Sequence, residues 1–404
     1  MFPSGCFSRQ ELGQAHPPVF INRIRYHSDE RGIILKKGKL KKYFAGGNTV
    51  RGFQSLFDYI PTTETKRQTI IKGGPGTGKS TLMKQLGQMA QEYGLDIEHF
   101  YCSSDNDSLD GLAIPALGYC IMDGTAPHVI DPRVPGAYDE IINLGDCWDA
   151  AKLRRNKNEI AALIRENGEW FARGYQYLRE AETVMDKMRY HMDKAMDYSA
   201  LAKMTYQLLL DLVASLPAST GAPQERHLFG GAITPGGLVN FYPSILQDTE
   251  RFYFLTGDPG SGKSLLLKQI YETVKLAGHD TEVYHCALDA QRLDAVVVPV
   301  LKTVFIKGTY PHSFTIAPTQ LVKEQYTLSL SRYSRTAALR TSASERAENQ
   351  ERLWYLTGKA VEMIRSSKRN HDKLEEYYIA AMDFSKLGQM RELLAREVFE
   401  SILK

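Results

Sequence analysis

Cysteine is scarce in this chain. Cys6, Cys102, Cys120, Cys147 and Cys286 are the five among 404 residues, none pairs at C-x-x-C spacing, and the count is odd. This argues against a disulfide framework or a zinc site and for reduced thiols, hence a cytoplasmic protein. Long apolar runs are missing as well: 295–306 and 208–216 are too short or too interrupted to cross a bilayer, so no integral membrane span is expected. Nor is there an excess of one charge. Lys and Arg number 50 against 47 Asp and Glu, a net +3, and nothing in that balance calls for nucleic acid or an anionic membrane. The N-terminal segment has no apolar core followed by a cleavage site, which excludes a secretory signal. Proline, present 17 times, is absent from 149 to 216, which leaves room for long helices.

What is present is one loop used twice. Ile70-Ile71-Lys72 leads into Gly73-Gly74-Pro75-Gly76-Thr77-Gly78-Lys79-Ser80-Thr81 and then an amphipathic segment from Leu82. This reads as strand, phosphate loop, helix, and the G-x-x-x-x-G-K-[ST] spacing has a mechanical reason. The glycines let several backbone N–H groups turn toward one phosphate, Lys79 reaches the outer phosphates, and the Ser80 hydroxyl can ligate Mg²⁺. Residues 252–256 lead likewise into Gly257-Asp258-Pro259-Gly260-Ser261-Gly262-Lys263-Ser264-Leu265. The copies lie 184 residues apart, and between Gly73/Gly257 and His128/His312 22 of 56 ungapped positions are identical. Self-similarity of this kind marks an internal duplication.

Residues 1–38 have no counterpart in the second half. Asp29 and Glu30 count against a transit peptide, while 29–32 can be encoded by a purine-rich ribosome-binding sequence just upstream of Leu35. The expectation is a disordered extension or a mis-annotated start, with translation beginning near Leu35. A first module then spans 39–216, a linker 217–226, and a second module 227–404. In each, a strand enters a glycine turn (43–49 and 227–234) before the phosphate-loop strand. The helix after Ser80 stops at Gly94 and its partner at Gly278. Second strands at 97–102 and 281–286 lead to Asp105 and Asp289, with Leu109-Asp110 and Leu293-Asp294 at the same spacing. Third strands at 119–122 and 303–306 reach Asp123 and Lys307.

This alternation predicts an α/β fold: two duplicated P-loop modules, each a mainly parallel sheet flanked by helices, with ligands at the carboxyl ends of the strands. Asp105, Asp123 and His128 should therefore gather near the phosphates. Helical periodicity follows at about 149–216 and 342–403. One straight helix over the first would be about 100 Å long, so a hairpin or bundle is expected after the third strand. Trp170 and Gly174 align with Trp354 and Gly358 at the offset of 184, and 195–199 with 381–385 at 186.

The run Phe44-Ala45-Gly46-Gly47-Asn48-Thr49, the first phosphate loop, Cys102-Ser103-Ser104-Asp105-Asn106-Asp107-Ser108-Leu109-Asp110-Gly111 and Asp123-Gly124-Thr125-Ala126-Pro127-His128 together resemble a family of uncharacterised bacterial tandem P-loop ATPases. More distantly they are similar to RecA-like and AAA-type ATPases. The resemblance covers nearly everything after residue 38 and implies ATP binding. Neither an L-S-G-G-Q signature nor an N-K-x-D element for guanine is present, so ATP rather than GTP rests on the resemblance.

Hydrolysis of ATP needs Mg²⁺ beside the β- and γ-phosphates, a group to orient the attacking water, and a cation for the developing charge. The catalytic candidates are Lys79, Asp105 to orient water, and Asp123 in the metal shell; the metal candidates are Ser80, Asp123 and Ser264. An Asx-turn is the alternative for Asp105, and a turn before Gly124 the alternative for Asp123. Thr125 and His128, with Thr309 and His312, can sense the γ-phosphate or order the loop. Arg154 and Arg155 are candidates for the cation, against a solvated helix face. Lys307 replaces Asp123 and Asp258 replaces Gly74 in the second copy, so the expectation is two unequal sites: the first hydrolytic, the second mainly binding. The expected function is a Mg²⁺-dependent ATPase coupling nucleotide state to its helical segments, with the two modules pairing within one chain and a macromolecular partner on the helices. A nucleotide or small-molecule kinase and a non-hydrolysing sensor or scaffold are the alternatives.

Overall fold

Each half of the described chain runs as strands, one helix, four more strands and then three helices, with a one-turn helix added before the fourth strand of the second half. The computed structural model describes residues 36–126, 129–309 and 320–403; the expectations for 1–35, His128 and His312 fall outside them. The first half runs β1 (Leu40–Phe44), β2 (Gly46–Thr49), β3 (Gly52–Ser55), β4 (Arg67–Lys72), α1 (Lys79–Glu92), β5 (Ile97–Cys102), β6 (Asp105–Ile114), β7 (Tyr119–Asp123), β8 (Asp139–Asn143), α2 (Ala150–Arg155), α3 (Lys157–Ala195) and α4 (Tyr198–Ser215). The second runs β9 (Glu225–Phe229), β10 (Gly231–Thr234), β11 (Gly237–Asn240), α5 (Tyr242–Ile245), β12 (Arg251–Thr256), α6 (Lys263–Leu276), β13 (Thr281–His285), β14 (Leu293–Val298), β15 (Thr303–Lys307), β16 (Glu324–Ser329), α7 (Thr336–Thr341), α8 (Ala343–Ala381) and α9 (Phe384–Leu403).

Twelve of the strands form one mixed sheet in the order β16-β12-β15-β14-β13-β9-β1-β5-β6-β7-β4-β8, flanked by helices in an α/β architecture. Read outward from its centre, the strand order of one half repeats that of the other. Within each half one strand, β6 or β14, runs against the rest. The halves join where β1 lies antiparallel to β9 at Phe44 and Phe229, so their glycine-rich loops point to opposite edges of the sheet. Arg226 of β9 closes the join with two bonds to Glu98 of β5, at 2.8 and 2.6 Å. Among the described residues no helix is long and apolar enough to cross a membrane.

The sheet is less parallel than expected. After Cys102 the chain turns straight back through Ser103 and Ser104, and 105–114 is a central strand whose last six residues are all buried. A fully buried strand has no alternation of polar and apolar residues to announce it. A further parallel strand, β8 or β16, precedes the helices.

The helical segments also differ from the expected hairpins. α3 and α8 have 39 residues each, about 58 Å, and pack antiparallel on each other: Asn370 bonds Leu163 O at 2.8 Å near one end and His191 meets Glu345 at 3.0 Å near the other. Leu178, Ala181, Val184 and Met188 face Leu353, Leu356, Ala360 and Ile364 between them. Their crossing places Gly174 against Ala360 and Ile364 while Gly358 has nothing within 4 Å. The helices therefore correspond at an offset of 186 along their whole length, and the Trp170/Trp354 and Gly174/Gly358 matches are coincidental. Asp197 caps α4 by accepting from Ala200 N at 3.0 Å, which ends α3. α4 then packs on the second half, where Leu201 and Leu212 join Leu266, Leu267 and Ile270. α9 packs on the first, where Leu394, Val398 and Phe399 join Ile71, Leu82 and Leu86.

Candidate functional site: two glycine-rich loops

The first loop stands at the N-terminus of α1. Gly78 caps that helix in the left-handed region, φ 92°, a conformation that strains any residue with a Cβ. Lys79 folds back over the loop: its Nζ donates to Gly73 O at 2.9 Å and Gly74 O at 2.7 Å and lies 3.5 Å from Asp123 Oδ2. Asp123 ends β7, the strand next to the loop strand β4. Thr125 N donates to its Oδ1 at 2.8 Å, and Thr125 Oγ1 donates to Gly73 O at 3.0 Å, so Thr125 fastens the loop, the ordering role. Thr77 Oγ1 donates to Gly74 O at 2.7 Å. Ser80 Oγ accepts from Leu109 N at 2.9 Å, and Thr81 is exposed.

Asp105 opens β6 instead of ending β5, and two strands lie between Cys102 and the loop strand. It sits in an Asx-turn, accepting from Asp107 N at 3.1 Å, and pairs with Lys368 of α8 at 3.3 Å. On the strand adjoining Asp123 the acidic residue is instead Asp110, only 4 % exposed, its carboxyl bonded to Cys102. It lies one position beyond the Gly111–Met122 pair of β6 and β7, on the same face as Asp123. Asp110 was missed as a site residue, although the Leu-Asp pair recurring at 109–110 and 293–294 was its signal.

The second loop has a similar turn and different charges. Gly260 and Gly262 are left-handed, φ 94° and 92°. Lys263 Nζ donates to Gly257 O, to Asp258 O at 2.9 Å and to Ser261 Oγ at 3.4 Å. Lys307 pairs with Leu255 in the β12–β15 register as Asp123 approaches Ile71 in β4–β7, so it holds the position of Asp123. Its Nζ lies 2.9 Å from Asp294 Oδ1, both side chains buried. Burial, and after it the Lys307 charge, brings the Lys263 ammonium down to about 7. Ser264 Oγ donates to Leu293 O at 3.2 Å, and Asp258 pairs with Arg346 at 2.9 Å. A cavity of about 270 Å³ beside this loop is lined by Asp258, Pro259, Arg346 and Met188.

Each loop is covered by helices of the opposite half. A Cβ on Gly74 would lie 2.3 Å from the Tyr378 ring, one on Gly76 3.0 Å from Ile379, and one on Gly78 2.8 Å from Leu387. At the second loop, a Cβ on Gly260 would lie 2.9 Å from Arg189 and Met192, and one on Gly262 3.1 Å from Leu201. Arg154 and Arg155 are exposed in the last turn of α2; the cations in place are Lys368 on Asp105 and Arg346 on Asp258.

The first site offers the Ser80 hydroxyl and the Asp123 carboxylate at the loop lysine, with Asp110 on the adjoining strand, an oxygen set suited to Mg²⁺. The second does not: where the first has Asp123 it has an ammonium, already bonded to Asp294. No protein-family model, curated protein or solved structure matches this chain.

Proposed function

We propose that the chain is a tandem P-loop ATP-binding protein and a Mg²⁺-dependent ATPase, hydrolytic at the first loop, whose nucleotide state is passed to its paired long helices. The observation that carries this reading is Lys79 held 3.5 Å from Asp123, at the end of the strand next to the loop strand. An N-terminus of a 14-residue helix, backbone N–H groups and a lysine on one side, with carboxylates on the other, suit a triphosphate bearing a divalent cation. Ser80, Asp123 and Asp110 are the oxygens to hold Mg²⁺, which when bound would neutralise charge on the β- and γ-phosphates.

Lys79 exchanges its bonds to Gly73 O and Gly74 O for phosphate oxygens, giving up neutral acceptors for charged ones. Thr125 keeps the loop in place through Gly73. Asp105 holds Lys368 and with it α8, and Tyr378, Ile379 and Leu387 of α8 and α9 rest on the loop, so that a phosphate seated there displaces helix ends of the opposite half. ATP labelled at the γ-phosphate tests this: wild-type protein is expected to release free phosphate, and Lys79→Ala to lower the rate by about 10²–10³-fold, with Lys263→Ala retaining turnover. Label appearing on an added nucleoside monophosphate means a kinase, and ATP recovered intact means a sensor. Turnover kept in Lys79→Ala and lost in Lys263→Ala reverses the assignment of the sites.

A further inference from the structure

We propose that the second loop binds the polyphosphate of a nucleotide without a divalent cation, the Lys307 ammonium providing the positive charge that the metal provides at the first. This rests on the reading of both loops as nucleotide sites.

The argument is one of charge at matched positions. Asp123 and Lys307 occupy the same register step beside their loop strands, and the strands next to them carry Asp110 and Asp294 at the same step. At the first site those positions are two carboxylates, a pair that a divalent cation relieves of mutual repulsion. At the second, Lys307 and Asp294 form a buried pair at 2.9 Å and neutralise each other, so a divalent cation would meet an ammonium where it needs an oxygen. A phosphate meets instead two ammonium groups, those of Lys263 and Lys307. Lys263 lies over the carbonyls of Gly257 and Asp258, and an arriving polyphosphate offers it charged oxygens in their place. Asp294 holds the Lys307 side chain in place for that contact.

Calorimetric titration of the full chain with ATP, in Mg²⁺ and in EDTA, tests the inference. Lys79→Ala leaves the second loop as the only intact site, and its affinity is expected to change by less than about threefold when Mg²⁺ is withdrawn; Lys263→Ala leaves the first, expected to lose about tenfold or more. In the Lys79→Ala background, Lys307→Arg keeps binding metal-free, while Lys307→Asp, which recreates the carboxylates of the first site, makes it depend on Mg²⁺. Thermal melting by circular dichroism shows which variants are folded, and the comparison of Lys79→Ala with Lys263→Ala stands without either Lys307 variant. A tenfold loss at the second loop in EDTA, or ATP bound by Lys263→Ala alone, overturns the inference and leaves the nucleotide reading intact. ATP bound by neither loop in either medium overturns that reading, and the inference with it.

Discussion

His99 on β5 is 8 % exposed, and a Cβ on Gly87 of α1 would lie 2.7 Å from its Nε2. Burial, aided by Lys42 and Lys84, pushes its pKa down to about 4, so the folded ring is neutral wherever the unfolded ring, near 6.5, begins to charge. Below pH 6.5 the unfolded chain takes up a proton that the native chain refuses. Stability therefore falls as pH drops from 6.5 to 4, by at most about 3 kcal/mol, and levels off below. Denaturant melts across that range should show a steeper decline in wild type than in His99→Leu. Lys79, Asp123 and Thr125 were legible in the sequence because each belongs to a short motif with a fixed mechanical role. Asp110 was only half legible: the Leu-Asp pair recurs at 109–110 and 293–294, but the recurrence does not say which strand lies beside it, and that depends on how β6 folds back.

The ends of α8 and α9 lie on the first loop, and the closest approach is the Tyr378 ring on Gly74. The second copy has Asp258 where the first has Gly74, and there the side chain turns out to Arg346. Gly74→Asp is expected to force Tyr378 off the loop and destabilise the chain by about 1–3 kcal/mol, and to cost less than half as much in a Tyr378→Ala background. Chemical denaturation of the four proteins of this cycle measures the coupling. Additive costs would mean that the α8 end does not rest on the loop. The helices themselves were legible from period and from the absence of proline; their partners were not. An amphipathic face shows that a helix needs a neighbour, and the residues that bury α3 read the same whether that neighbour is α4 or α8.

Across the whole molecule, α3 ends on the second loop and α8 on the first, and the two pack along their length. A ligand that shifts one loop therefore acts on the helix that covers the other. Lys263→Ala is expected to change nucleotide affinity at the first loop by 1–3 kcal/mol, about 5–150-fold. Titration of the folded, monodisperse variant measures it, and unchanged affinity would show that the loops act independently. The Arg226–Glu98 pair and the β1–β9 join hold the halves in a fixed relation, without which the helices have no constant lever.

The sequence by itself determined the repeat, both glycine-rich loops and their helices, the loop strands and the Asp-for-Lys exchange between the copies. Those are local: a few neighbouring residues, each with its own backbone or charge requirement, recur at one spacing. Tertiary structure decided the antiparallel β6 and β14, the placing of Asp110 on the strand adjoining Asp123, the buried Lys307–Asp294 pair, and the crossing of the long helices onto the opposite loops. Each depends on burial, and burial is a property of what packs against a residue, which can lie 200 positions away in the chain, as Asn370 does from Leu163.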